Sequence, residues 1–157
     1  MRGQLGFTYI WVLFLVFMLG VFSMLYLDFY KLKKQQEDEQ LLIYQGHEFR
    51  RAIESYHKLS NTPGIEGYPT SLEQLIKDDR YPNTVRHLRK LYVDPMTGKS
   101  DWVLVRIGDK IVGVHSASTN EVLKKTNFTP EDVALENKNY YHEWVFSHPS
   151  NLQLLKK

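Results

Sequence analysis

The stretch that decides the fold is FTYIWVLFLVFMLGVFSMLYL, residues 7–27. It contains no charged side chain, and as an α-helix it would extend about 30 Å, which matches the hydrocarbon thickness of a bilayer. It is apolar on every side, unlike an amphipathic surface helix. Trp11, Tyr26 and Tyr30 lie towards its ends, where membrane helices place interfacial aromatic rings. The stretch therefore predicts a membrane-spanning helix.

A cleaved secretory signal and a buried core helix are the two alternatives to a membrane span. A secretory signal has a shorter apolar core followed by a small-residue cleavage site, whereas residues 25–28 are Leu-Tyr-Leu-Asp. A buried core helix is disfavoured because a charge-free run of this length would be hard to cover in so small a protein. We prefer the membrane span.

The residues after the apolar run continue the helical pattern. Residues 31–58 favour helix, contain Gly46 as their only glycine, and precede the first proline, Pro63. The spacing predicts a single helix over residues 7–58, whose second half packs one face on a soluble head; a hinge near residues 28–34 is the alternative. The apolar stripe of the second half consists of Leu42, Phe49, Ile53 and Tyr56.

Composition excludes several classes of function. The net charge is +2 with both signs interspersed, so no nucleic-acid partner is expected. The chain has no cysteine, which excludes disulfides, thiolate metal sites and cysteine nucleophiles. The six histidines form no zinc-binding spacing, and no phosphate loop, dinucleotide fingerprint or nucleophile elbow occurs. We therefore expect no enzyme activity.

The rest of the chain predicts a small α+β head. Residues 61–69 are predicted to form a loop, and a helix is predicted to follow, capped by Thr70 or Ser71. A further short helix is predicted over residues 85–92, and a turn over residues 94–99. Two strands, residues 102–107 and 110–115, would pair as an antiparallel hairpin through Gly108 and Asp109, with a third strand at residues 143–147. Between them, a long polar loop over residues 116–140 would be held to the head by Leu123 and Phe128.

Two aspartates are candidates for a calcium site. Asp94 and Asp101 bracket the predicted turn, and carboxylates with backbone carbonyls suit calcium. Stabilisation of the turn is the preferred role for Asp94, because aspartate commonly accepts hydrogen bonds from its own backbone in such turns. No other metal or cofactor is predicted.

The pentapeptide Gly6-Phe7-Thr8-Tyr9-Ile10, after a short leader containing Arg2, resembles the processing motif of type IV prepilins and type II secretion pseudopilins. The resemblance extends to residues 68–75 and 91–98 and to the following hairpin. It implies that a prepilin peptidase cleaves after Gly6 and methylates Phe7. It also implies four parts: a leader (1–6), a transmembrane half-helix (7–27), a soluble half-helix (28–58) and a periplasmic globular head (59–157).

One residue departs from the family pattern. Where the family has glutamate at the fifth mature position, this chain has Trp11. In the family that carboxylate is thought to pair with the amino terminus of a neighbouring subunit inside the bilayer, where an unpaired charge is costly. The resemblance therefore implies a minor or atypical structural subunit of a type II secretion or type IV pilus-like assembly in the bacterial inner membrane, with other pilin-like subunits and inner-membrane components as partners.

The positive-inside rule and the resemblance to prepilins predict opposite orientations of the helix in the membrane. Lys31, Lys33 and Lys34 outnumber Arg2 and the amino terminus, so the positive-inside rule alone would put the head in the cytoplasm. The motif requires a cytoplasmic leader and a periplasmic head, and we follow the motif. The alternative functions are a single-pass membrane-anchored binding module and an anchored enzyme, and no catalytic constellation supports the latter.

Overall fold

The structure is a computed structural model, and it describes residues 5–60 and 64–148, without the side chains of residues 5–7 and 65. By their internal contacts the residues form two compact units, Met1–Glu37 and Asp38–Lys157. The first helix, α1, spans Leu5–Lys58. The predicted helix over residues 7–58 is thus confirmed, and the helical assignment continues through residues 28–34, the place of the alternative hinge.

The second unit is built on the predicted apolar stripe of α1. Leu42, Phe49, Ile53 and Tyr56 are all buried. The Phe49 ring lies 5.0 Å from the Trp102 ring, centroid to centroid, so the stripe faces the hairpin region of the head. Burial of each large apolar side chain contributes about 1.5–3 kcal/mol, which makes this stripe the main attachment of the head to the helix.

A three-stranded antiparallel sheet completes the core, in the order β1-β2-β3. Its strands are β1 (Val103–Ile107), β2 (Lys110–His115) and β3 (Phe146–Ser147). The predicted hairpin is confirmed, with Gly108 at φ 65° in the first position of the two-residue turn. Glycine adopts this left-handed conformation without strain. One long helix and one small antiparallel sheet make the fold α+β.

The predicted third strand is shorter in the structure. The sequence predicts it over residues 143–147, but residues Tyr141–Glu143 form a 3-10 turn and only Phe146–Ser147 pair with β2. Tyr141 and Trp144 are completely buried here, and their rings meet edge-on with centroids 5.3 Å apart. Packing of these two rings against the core favours the turn over a longer extended strand.

The short helices differ from the prediction. The predicted helix after residue 70 is a single turn, α2 (Glu73–Ile76), whose N-cap is Leu72 and not Thr70 or Ser71. The predicted helix over residues 85–92 is wrong, because this segment has an irregular backbone. Its amides at residues 87 and 88 both donate to the carbonyl of Leu75, so they serve a tertiary contact and not a helical ladder.

The long segment over residues 116–140 is irregular, as predicted, apart from the 3-10 helix Pro130–Leu135. Phe128 packs edge-on against Trp144, as expected for a side chain that holds the loop to the head. Leu123 also holds the loop to the head, but it does so through its backbone amide, which donates to Glu39. The residue itself is 37% exposed.

Candidate functional site

The predicted processing motif lies at the beginning of α1. Gly6 and Phe7 are helical, while residues 1–4 of the predicted leader lie outside the described residues. Tyr9, Ile10 and Trp11 are each more than half exposed. The Trp11 indole stands edge-on to the ring of Phe14, one turn further along the helix, with centroids 6.0 Å apart. An aromatic ring thus occupies the position where the motif has a carboxylate.

The helix of the first unit exposes large apolar side chains along residues 9–32. Soluble monomers rarely expose a continuous apolar surface of this extent, and such surfaces mark contact with lipid or with another protein. By length and composition, α1 is able to cross a membrane. The sequence-predicted motif and this exposed apolar surface are therefore consecutive on one helix.

The two calcium candidates lie in the turn predicted over residues 94–99. The Asp94 carboxylate is buried; one oxygen accepts the Met96 amide at 2.8 Å and the other accepts the Ser116 hydroxyl at 2.6 Å. Asp101 accepts a hydrogen bond from Thr97. Asp94 thus has the preferred turn-stabilising role. Within residues 5–60 and 64–148, no group of three or more His, Cys, Asp or Glu side chains is placed to hold a metal ion.

A buried polar chain that the sequence did not predict links α1 to the segment after α2. The Ser55 hydroxyl lies 2.9 Å from His87 Nδ1, and His87 Nε2 lies 3.2 Å from Asp78 Oδ2. Arg80 donates to both oxygens of Asp78, at 2.8 and 2.6 Å. These charge-assisted hydrogen bonds lower the pKa of the Asp78 carboxyl from 3.8 to about 2.

The connectivity Ser55–His87–Asp78 has the residue types of a nucleophilic triad, but its surroundings favour a structural role. The His87 side chain is only 1% exposed, so a substrate could not approach the imidazole. Arg80 also donates to the backbone carbonyl of Tyr56 and lies 3.6 Å above the Tyr56 ring. The cluster therefore fastens residues 78–87 to the last turns of α1.

Two further buried carboxylates fasten the other irregular segments to α1. Glu39 accepts the amides of Leu123 and Lys124, at 2.9 and 3.1 Å, and the Tyr141 hydroxyl at 2.9 Å. A carboxylate that accepts several donors can be buried at an acceptable cost because its oxygens remain hydrogen-bonded. Glu39 thus joins the helix to two separate parts of the head.

Asp132 makes the equivalent attachment from the head side. Its oxygens lie 2.8 and 2.9 Å from His47 Nε2, and Arg50 and Thr129 also donate to it. Burial opposes ionisation of this carboxyl, but the hydrogen bonds from His47 and Thr129 outweigh it and lower its pKa. No local motif connects Asp132 with His47 and Arg50, because these partners lie more than 80 positions away along the chain.

Comparison with known proteins adds no relative: no protein-family model matches the chain, and no curated protein or solved structure is significantly similar to it.

Proposed function

We propose that this protein is a pseudopilin-like structural subunit of a type II secretion or type IV pilus-like assembly. One observation carries the proposal: the exposed apolar surface of α1 directly follows a pentapeptide that resembles the processing motif of prepilins. The same helix, beyond the first unit, supplies the apolar stripe on which a small antiparallel sheet packs. A helix with two such different surfaces suits a subunit held in lipid through one part and carrying a folded head on the other.

In this proposal the α1 helix has a mechanical role: it anchors the subunit and packs against other subunits, and it does not catalyse a reaction. A prepilin peptidase cleaves between Gly6 and Phe7 and methylates the new amino terminus. The apolar part of α1 lies in the bacterial inner membrane, and the head lies in the periplasm. Subunits then associate through their helices, while the heads determine the lateral contacts. Because Trp11 provides no carboxylate for a neighbouring amino terminus, the subunit is minor or atypical.

The mass of the mature amino terminus tests the proposal. The full chain is expressed in cells with and without a prepilin peptidase, purified in detergent, and digested for mass spectrometry. We expect an N-methylated peptide beginning at Phe7 only where the peptidase is present. Gly6→Val should abolish cleavage, because a side chain at this position blocks close approach of the backbone to a protease cleft.

Gly20→Val is the matched control, since a Cβ at Gly20 would meet open space. It should leave cleavage unchanged. A chain that retains Met1 in cells with active peptidase would contradict the proposal. If that unprocessed chain still has a folded head that binds a specific protein, the single-pass anchored binding module is the correct alternative.

A topology reporter tests the orientation separately. A fusion after Lys157 should be active when the reporter requires the periplasm, despite the three lysines at positions 31, 33 and 34. Activity restricted to a cytoplasmic reporter would place the head on the other side of the membrane and contradict the proposed topology.

A further inference from the structure

A mixed aromatic and cationic groove lies on one face of α1 where the apolar run ends. It has a volume of about 250 Å³ and is entirely within the first unit. Its members recur at spacings of three or four residues, which places them on the same side of a helix. Lys31, although it is close in sequence, is not part of the lining, because each residue turns the helix by about 100°. The groove is lined by Tyr26, Phe29, Tyr30, Lys33, Lys34 and Glu37.

The order of these side chains along the helix matches the layers of a membrane surface. Counted from residue 7, about 30 Å of helix ends near residue 27, so the groove would lie at the level of the lipid headgroups. Tyr26, Phe29 and Tyr30 are each more than half exposed. Tyrosine favours this level because its ring is apolar and its hydroxyl is polar. The two lysines follow, and the long flexible side chain of a lysine can carry its ammonium group to the level of the lipid phosphates.

We propose that this groove binds the headgroup of an anionic phospholipid. The ammonium groups of Lys33 and Lys34 contact the lipid phosphate, and the hydroxyls of Tyr26 and Tyr30 donate hydrogen bonds to it. The aromatic rings contact the upper part of the acyl chains. Glu37 lies at the end of the groove that is farthest from the apolar run. Its negative charge weakens the binding of the anionic headgroup.

The inference rests on the part of the proposed function that places the apolar helix in lipid. It does not require cleavage after Gly6 or assembly with other subunits. It also gives Lys33 and Lys34, two of the three lysines that oppose the positive-inside rule, a partner in anionic lipid.

Native mass spectrometry of the full chain in a nonionic detergent tests the groove. Phosphatidylglycerol, phosphatidylethanolamine and phosphatidylcholine of equal chain length are added in parallel. We expect retention of phosphatidylglycerol above the other two, without displacement by excess inorganic phosphate. Each lysine that contacts the lipid phosphate contributes roughly fivefold in affinity, so K33Q/K34Q should reduce retention about 25-fold.

Matched variants separate the groove from general attraction between charges. K33Q should reduce retention about fivefold, whereas K31Q, with the same charge change outside the groove, should change it less than about twofold. Glu37→Gln should increase retention. Equal losses in K31Q and K33Q, or equal retention of phosphatidylcholine, would overturn the inference. The amino-terminal mass, measured on the same samples, tests the proposed processing independently: a retained Met1 contradicts processing and leaves the lipid result intact.

Discussion

The contact between Gly46 and Phe146 gives the sharpest test of how the head is attached to α1. A Cβ at Gly46 would lie 2.4 to 2.5 Å from three atoms of the Phe146 ring, well inside van der Waals contact. Phe146 is completely buried, and it belongs to β3, which pairs with β2 through Val114. Because the ring is completely enclosed, it cannot move without disturbing its neighbours or the strand. Gly46→Ala therefore forces either the ring or β3 to move.

Two opposing contributions determine how much Gly46→Ala changes the free energy of unfolding. Alanine in a helix interior is favoured over glycine by about 1 kcal/mol. Overpacking in a well-packed core costs about 1–3 kcal/mol, and a contact this short falls at the upper end of that range. The balance predicts that Gly46→Ala lowers the free energy of unfolding by about 2 kcal/mol. Gly20→Ala is the matched control, because its Cβ would meet nothing within 4 Å.

Urea unfolding of the full chain in mild detergent measures this difference. Tryptophan fluorescence reports on the head through the buried Trp102 and Trp144 if Trp11, which is exposed, is replaced by Phe in every sample. In a Phe146→Leu background, where the ring is absent, the cost of Gly46→Ala should fall by at least about half. A Gly46→Ala protein as stable as the parent, or an equal cost in both backgrounds, would refute the reasoning.

Three further predictions concern Asp78, Glu39 and Trp11. Hydrogen bonds with Arg80 lower the pKa of Asp78 from 3.8 to about 2, so its contribution to the free energy of unfolding is complete above pH 4 and is lost as the pH falls towards 2. Asp78→Asn should cost about 2 kcal/mol at pH 7 and should flatten the plot of stability against pH between pH 4 and 2. An unchanged plot would contradict this. Glu39→Gln should cost about 1–3 kcal/mol, because each carboxylate oxygen accepts a backbone amide and the amide nitrogen that replaces either oxygen would face a donor. Hydrogen exchange should accelerate at Leu123 and Lys124 but not at Val112, and uniform acceleration would argue against a local attachment. If the proposed function holds, Trp11→Glu should increase the fraction of cross-linked multimers in membranes, because it introduces a carboxylate that a neighbouring amino terminus can neutralise. An unchanged fraction would mean that Trp11 does not limit association.

The features that could be predicted from the sequence are those with a local cause. The α1 helix follows from composition and periodicity, and the hairpin follows from Gly108 between two β-branched runs. The error at residues 85–92 has a tertiary cause. This segment has no strong local signal, and burial of His87 beside Asp78 with donation of two amides to Leu75 overrides its moderate helix propensity.

The polar attachments could not be predicted from the sequence. Asp78, Asp132 and Glu39 look like ordinary surface charges, since acidic residues are mostly exposed and each stands in a polar context. Most of their partners lie far away along the chain; Glu39 and Tyr141, for example, are separated by 102 positions. Only the folded arrangement brings them together. The predicted processing motif, in contrast, is a short local pattern, and its prediction requires no knowledge of the fold.

These attachments have a consequence for a head that contains no cysteine. Disulfides usually hold irregular segments in small domains, but here buried carboxylates perform that task at Glu39, Asp78 and Asp132. A buried carboxylate with its hydrogen-bond or ion-pair partners contributes little net stability compared with apolar packing, yet loss of one partner is costly because the other remains buried and unpaired. We therefore expect these bonds to favour the observed arrangement of the loops on α1. A mechanical force applied to residues 38–58 of the helix would act directly on these bonds. We therefore expect the head to move together with this part of the helix, as the proposed mechanical role requires.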